Sequence, residues 1–533
     1  MKSLKTFFLA VTCLVAMTMT AQQPQSKGQM NSQKLATTLY LIENFYVDTA
    51  NIDKVTEDAI IAALKELDPH SAYISKKDVE KANEPLVGSF EGIGVTYQLI
   101  RDTITVISPT AGGPSEKVGI MTGDQIIKID GEDAFGKKID NEYVQKRLRG
   151  KKGTKVTVGV KRGSDPELID FEITRDKIPL NSINAAYMLD NHVGYIKLDR
   201  FAQESTQEFK EAFTKLQAQG MESLIFDLRG NTGGYLNTAI ELVDQFIDEG
   251  KLIVFTEGIH SPRQEWRSTA AGLYTTGKLV VLIDEGSASA SEILSGAIQD
   301  HDRGVVIGRR SFGKGLVQRP FNLPDGAQIR LTTSRYHTPS GRCIQRPYEK
   351  GAEDYAKEME KRLKHGEYYH ADSIHFPDSL KFKTDGGRTV YGGGGIMPDL
   401  FIPVDTAYNS KLYTNLVRKG ALNRFTTDYA LKHRDEIKAQ YGDFENFNKD
   451  FAVGQDLVNG LKKAAEDAKV EWNDEQFNRS EKFLLLQIKA LIARNVWETQ
   501  QYYQAMASSD PGVQKAIEIL NDNKAFNKIL SNK

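Results

Sequence analysis

The chain has 533 residues, room for roughly three or four domains. Lysine and arginine number 69 against 71 aspartates and glutamates, so the net charge of −2 gives no electrostatic case for nucleic acid. Hydrophobic residues make up 40% of the chain, enough for ordinary globular cores. At the N-terminus, Lys2 and Lys5 precede an apolar stretch, Phe7 to Met17, followed by Thr18-Met-Thr-Ala21. This order predicts a secretory signal peptide over residues 1–21, cut near Ala21, and hence a periplasmic or otherwise extracytoplasmic protein. A membrane anchor would need about 20 apolar residues, which neither this stretch nor any later one supplies. Cys13 is poorly placed for lipid attachment, because Thr12 precedes it and the apolar stretch runs on past it. Cys343 is then the one cysteine left, so no internal disulfide can form and stability must come from the cores. It reads as a packing residue.

Residues 22–85 begin with a polar leader, Gln22 to Asn31. Leu35, Leu39, Ile42 and Phe45 then recur at helical spacing, and Ala59 to Leu67 predicts a second helix ended by Asp68-Pro69. The simplest reading is a small packed helical cap. Residues 86–177 are punctuated by glycine and read as mostly β. Phe90-Glu-Gly-Ile-Gly-Val95 resembles the carboxylate-binding loop of PDZ domains, where N–H groups exposed by glycines capture a peptide's C-terminal carboxylate. Gly92, Ile93 and Gly94 are the candidate carboxylate-binding residues. A turn at Ser108 to Gly112 follows, then a short helix from Pro114 to Val118 and a strand and turn from Gly123 to Gly131. A helix from Asp140 to Leu148 and an alternating strand from Lys155 to Val160 complete the order. Gly-Ile-Gly alone is a weak signal; the whole order points to a PDZ domain, against which a peptide would lie as an added strand.

From Ile178 strands and helices alternate. Val193 to Leu198 reads as a strand and Thr206 to Gln217 as an amphipathic helix. Ser223 to Tyr235 reads as strand, glycine turn and helix start, in which Gly233-Gly234 makes the turn and Arg229 could pair with a nearby acid. Leu279 to Ile283 is a short unbroken apolar run, as in a strand buried on both faces of a parallel sheet. Gly286 and the small residues Ser287-Ala-Ser-Ala-Ser291 follow. From Glu292 the spacing of Ile293, Leu294, Ala297 and Ile298 is helical. A serine at such a strand-to-helix turn sits where unpaired N–H groups and the helix dipole favour negative charge, a good place for a nucleophile and its oxyanion. Ser287, Ser289 and Ser291 compete for that role, and capping is the usual job of such serines. Val305 to Ile307 is another β-branched run, ended by Gly308. Lys314 stands between Gly313 and Gly315; it could act as a general base only if burial or a nearby positive charge keeps its amine neutral. Gln318, four residues on, could hold that amine without adding charge.

Gly286-Ser-Ala-Ser-Ala-Ser-Glu-Ile293, Gln299-Asp300 and Phe312-Gly-Lys-Gly-Leu-Val-Gln318 together resemble the motifs of the C-terminal processing peptidases, or tail-specific proteases. These are serine proteases with a Ser–Lys dyad. Ser289 and Lys314 stand 25 positions apart, the family's own spacing. The resemblance implies an α+β multidomain chain: a crotonase/ClpP-like αβ protease core at 178–406, a PDZ domain at 86–177 before it, and helical N- and C-terminal regions. It implies Ser289 as nucleophile, Lys314 as base and Gln318 as its orienting partner. The implied oxyanion donors are the backbone N–H groups of Gly234, or alternatively Gly233, and of Ala290. The implied function is an exported endopeptidase, with no cofactor or metal, that captures protein or peptide substrates by a free C-terminus. An oligomer is left open. Asp68-Pro-His-Ser-Ala-Tyr73 and Thr338-Pro-Ser-Gly341 match further family segments. The family's next motif arrives only at Gly395-Ile-Met-Pro-Asp399, after a charged insertion at 348–390 in which Tyr355, Met359 and Leu363 predict a short helix. The insertion carries none of the core motifs, so a Gly/Ser linker in its place is expected to leave dyad chemistry measurable.

Residues 407–533 are helical in pattern, most strongly from Phe483 to Trp497, and read as a helical domain packed on the core. A Ser–His–Asp hydrolase would need a positioned histidine. His192, His260, His301 and His337 stand in no nucleophile-elbow motif, and His301, between Asp300 and Asp302, reads as a polar helix end. No Cys/His spacing and no His-Glu-x-x-His run suggests zinc. A non-catalytic peptide-binding scaffold is the other class of function to weigh; intact Ser289, Lys314 and Gln318 argue against it.

Overall fold

The computed structural model describes residues 26–136, 139–163, 165–190 and 192–531. The leader over 1–21 lies outside the described residues. Helices α1 (Lys27–Phe45) and α2 (Ile52–Lys65) open the chain. The Asn51 side chain caps α2 by accepting the Lys54 N–H at 3.0 Å. The region is not purely helical: β1 (Ala72–Ile74) pairs antiparallel with a strand of the core. Helix α3 (Val79–Val87) then leads to the first β unit.

That unit holds β2 (Ser89–Gly92), β3 (Val95–Ile100), β4 (Thr103–Pro109), α4 (Pro114–Lys117), β5 (Gln125–Ile129), β6 (Glu132–Asp133), α5 (Asn141–Leu148), β7 (Lys155–Lys161), β8 (Leu168–Thr174) and β9 (Asp176–Pro179). Its sheet runs β3-β4-β5-β7-β8, so β3 is an edge strand. Alternation turns Val156, Val158 and Val160 of β7 inward, onto Ile104, Ile126 and Val144. The chain enters and leaves through the antiparallel pair β2–β9.

The next unit contains β10 (Ile183–Met188), β11 (Val193–Leu198), α6 (Ser205–Ala218), β12 (Ser223–Asp227), α7 (Leu236–Asp244), β13 (Leu252–Gly258), β14 (Ser261–Arg267), β15 (Lys278–Ile283), α8 (Ala290–Asp300), β16 (Val305–Gly308), β17 (Leu316–Asn322) and β18 (Gln328–His337). The insertion adds α9 (Ala352–Ala356), α10 (Glu358–Lys364) and the β19–β20 pair (Lys381–Lys383, Thr389–Tyr391) before β21 (Leu400–Phe401). The central sheet runs β10-β11-β12-β15-β16-β21, parallel from β11 onward. A second sheet, β1-β18-β13-β14 with β17 on β18, flanks it. Leu279 to Ile283 is fully buried because both faces of β15 are covered. Phe209 and Phe213 of α6, Leu242 of α7 and Leu294 of α8 cover one face.

Helices α11 (Lys411–Arg418), α12 (Ala421–Tyr441), α13 (Phe444–Asp450), α14 (Gln455–Asp467), α15 (Asp474–Val496) and α16 (Thr499–Met506) share a separate core that includes Leu416, Phe447, Leu461 and Ile488. The last two, α17 (Pro511–Asn521) and α18 (Asn523–Leu530), leave it. They set Val513, Ala516, Ile519 and Phe526 against Tyr195, Ile225, Val280 and Ile307 on the other face of the central sheet. The 407–533 region is thus not one body: its end is the third layer of the core, each buried Val, Ile or Phe side chain there contributing roughly 1.5–3 kcal/mol. Among the described residues no helix is long and apolar enough to cross a membrane.

Candidate active site

Strand β15 ends at Ile283, and the chain turns into α8 through residues organised by Asp284. Its Oδ1 accepts the N–H groups of Gly230 at 2.8 Å and Gly286 at 2.9 Å, and its own N–H donates to Ser287 Oγ at 3.0 Å. Ser287 Oγ donates to Leu228 O and Ser291 Oγ to Asn231 O, both at 2.8 Å and both fully buried. Two of the three competing hydroxyls are therefore spent on the neighbouring turn. Ser289 differs. It is half-buried and sits at φ 55° and ψ −111°, a backbone conformation costing about 1–3 kcal/mol for a residue with a Cβ. A nucleophile elbow uses the same kind of strained strand-to-helix turn.

The turn after β12 lies against it. A Cβ on Gly233 would fall 2.9 Å from both Ser289 Cβ and the Ala290 nitrogen, and one on Gly234 would fall 2.1 Å from Phe201 O. Only glycine fits either position. The Gly233 N–H is taken by Asn231 Oδ1 at 2.8 Å, while Asn231 Nδ2 donates to Leu198 O at 2.9 Å. The N–H groups of Gly234 and Ala290 donate to no acceptor among the described residues, and Ala290 opens α8. Of the two glycines weighed as donors, Gly234 is the one with its N–H uncommitted.

Two buried groups bring Ser289 and Lys314 together. Glu292 Oε2 accepts the N–H of Ser289 at 2.8 Å and of Lys314 at 2.9 Å. Its Oε1 accepts the Gly313 N–H at 2.7 Å and the Ser311 hydroxyl. Tyr336, fully buried, donates its hydroxyl to Ser289 O at 3.1 Å and Lys314 O at 2.7 Å. Lys314 Nζ donates to Gln318 Oε1 at 2.9 Å, and Gln318 Nε2 donates to His70 O. Burial holds the Lys314 amine below its ordinary range; Arg330 pushes the same way, while Glu292 and Asp68 oppose. Burial also pushes the Glu292 carboxyl up, against the hydroxyl and N–H donors that favour its charged form. Glu292, Tyr336, Asn231 and His70 were not singled out from the sequence. Glu292 carried one usable signal, its place three residues after Ser289 at a helix start.

Gly92, Ile93 and Gly94 lie on the other β unit, at the end of β2. Gly94 has φ 72°, and a Cβ there would fall 2.9 Å from Ile178 Cδ1. Ile93 is buried, and its carbonyl accepts the Ser115 hydroxyl at 2.7 Å. The loop opens onto the free edge of β3, which faces α5 through Tyr97 and Asn141. Among the described histidines, none hydrogen-bonds to Ser289. His301 closes α8 and pairs with Asp385 at 2.9 Å and Leu252 O at 2.7 Å. Gln299 and Asp300 hold the buried Arg342 at 2.8 and 2.7 Å. Arg229 pairs with Asp227 and Asp510. Burial raises the Cys343 thiol pKa, as suits a packing residue. No group of metal-ligating side chains occurs among the described residues.

A model of peptidase family S41 matches residues 192–353, a PDZ domain model matches 92–173, and a family of unknown function matches 412–498. A probable CtpA-like serine protease of Staphylococcus aureus is 36% identical over 318 residues, 59% of this chain and 63% of the relative. One from Staphylococcus epidermidis is 35% identical over 317 residues, with the same coverage of 59% and 63%. The chain thus spans less than two thirds of the length of these relatives. Among solved structures, a photosystem II D1 C-terminal processing protease is 27% identical, covering 58% of this chain and 89% of that one at a TM-score of 0.34. The PDZ domain of a carboxy-terminal protease from Vibrio cholerae, in complex with peptide, is 35% identical and covers 17% of this chain and 99% of that one at a TM-score of 0.16.

Proposed function

We propose that this chain, which belongs to the C-terminal processing peptidases of family S41, is an exported serine endopeptidase working through Ser289 and Lys314. The neutral Lys314 amine takes the Ser289 hydroxyl proton as Oγ attacks the scissile carbonyl. The resulting oxyanion is held by the Gly234 and Ala290 N–H groups. Lys314 then gives its proton to the leaving amine as the C–N bond breaks, and water releases the acyl group by the reverse path. Gln318 holds the amine throughout. The observation that carries this reading is the joint clamp of Glu292 and Tyr336 on the main chain of both residues.

Substrate C-termini are captured at Gly92, Ile93 and Gly94, with the peptide added as a strand along the open edge of β3. The domains are the PDZ unit over 86–177 and the protease core over 178–406. Export to the periplasm or another extracytoplasmic space rests on the order of charged and apolar residues over 1–21.

The test is cleavage of an unstructured reporter with an apolar C-terminus by folded variants. Ser289→Ala should abolish turnover while peptide binding survives. Lys314→Arg should be as inactive as Lys314→Ala, because a guanidinium supplies no neutral amine. Cleavage at near wild-type rate by Ser289→Ala or Lys314→Arg sinks the mechanism.

A further inference from the structure

Three segments far apart in sequence are linked through His70, which touches both Gln318 and Tyr355. Gln318 lies on β17, His70 lies in the turn before β1, and Tyr355 lies on α9 of the insertion. Gln318 Nε2 donates to the His70 carbonyl, which leaves Oε1 to face Lys314 Nζ at 2.9 Å. The direction matters. An amide turned over would offer the amine two N–H donors instead of an acceptor, so the His70 carbonyl sets which end of Gln318 faces the lysine.

His70 is itself held from two sides. Its N–H and that of Ser71 both donate to Asp68 Oδ1 at 2.8 Å. Its ring nitrogen Nε2 lies 2.8 Å from the Tyr355 hydroxyl, with the rings edge to face at 5.2 Å. Tyr355 is buried and sits under the Arg346 guanidinium, 3.8 Å from its ring, which also covers Phe312 at 4.1 Å. Burial, then the Lys314 charge, lower the His70 pKa to about 4, so the ring is neutral. The charged groups acting on Lys314 are Glu292 of α8, Arg330 of β18 and Asp68 of the turn.

We propose that Tyr355 and His70 are positioning residues that hold Gln318, and through it the Lys314 amine, so that the insertion at 348–390 is part of the working site. The inference rests on the Ser–Lys reading above.

The test uses the full chain with Tyr355→Phe, which removes one hydroxyl, and His70→Asn, with thermal midpoints confirming the fold. One hydrogen bond of ordinary strength predicts a kcat loss of about 3- to 10-fold with KM little changed. The sign of the pH effect separates positioning from loosening. An amine that loses its acceptor loses a bond favouring its charged form, so its pKa falls and the limb of kcat against pH moves down. Admission of water would instead bring the pKa back up. Tyr355→Phe in the His70→Asn background should lose little more than either variant alone, because both act on one chain of contacts. Wild-type kcat for Tyr355→Phe, a limb that moves up, or additive losses would overturn the proposal while leaving the dyad standing if Ser289→Ala and Lys314→Arg are inactive. Activity in those two variants would remove the dyad, and the proposal with it.

Discussion

Glu292→Gln keeps the side chain's shape and exchanges one buried oxygen for an NH2. The fully buried carboxylate accepts four hydrogen bonds, two on each oxygen. With the amide nitrogen in the Oε2 position, it would meet the N–H groups of Ser289 and Lys314, two donors with nothing to accept. In the Oε1 position it meets the Ser311 hydroxyl, which can turn and accept, although it already receives the Ile396 N–H at 2.6 Å. Only the Gly313 N–H is then orphaned, so the second placement wins. One orphaned buried donor costs about 1–3 kcal/mol, against a total stability for a domain of about 5–15 kcal/mol. Glu292→Ala orphans all four donors and should lose the folded core. The charge has a separate effect. Glu292 raises the Lys314 pKa, so removing it should lower that pKa further. A base that works when neutral then becomes available at lower pH, and the acid limb of kcat/KM moves down. Thermal denaturation and a pH–rate profile on a fluorogenic peptide measure both. An unchanged midpoint with an unchanged limb, or a limb displaced to higher pH, would refute the reasoning.

Ser291→Ala removes one buried hydroxyl bond to a turn carbonyl and should cost about 1 kcal/mol of stability, while Ser287→Ala removes such a bond and also the acceptor of the Asp284 N–H and should cost about 1–3 kcal/mol, both leaving kcat within a few-fold; loss of turnover comparable to Ser289→Ala would reassign the nucleophile. Amidating a substrate's C-terminus should raise KM more than it lowers kcat, since the contact is remote from the chemistry, and equal cleavage of amidated and free peptides would count against carboxylate capture. Replacing 348–390 by a Gly/Ser linker should abolish activity, contrary to what the sequence alone suggests. The buried Arg362 donates to Arg310 O at 2.8 Å and Ser311 O at 3.0 Å, directly before the lysine loop, and a folded linker variant with measurable turnover would show that these supports are dispensable.

The difference between what the sequence showed and what it hid follows the range of the interactions. The apolar run of β15 and the 3.6 period of α8 are local, so both elements were legible. The three small-residue serines were not separable by local chemistry; the family resemblance chose among them. In the structure they separate because Ser287 and Ser291 hydroxyls reach Leu228 and Asn231, some sixty positions back. Of the contacts of Glu292 only the one to Ser289, three positions back, is local, since its other donors arrive from residues 311–314. His70 and Tyr355 stand 285 positions apart, and no periodicity spans that distance. The same holds for α17 and α18: their pattern announces a buried face but not the sheet that buries it. The strain at Ser289 is maintained against relaxation by the Glu292 carboxylate, three positions on, and by the Tyr336 hydroxyl, 47 positions on, each of which also holds the main chain of Lys314. Motifs thus point to the proposed reacting groups, while the groups that would hold them in place emerge only once the chain is folded. Substitutions at Glu292, His70 and Tyr355 are therefore where rate, pH profile or stability should change with Ser289, Lys314 and Gln318 still in place.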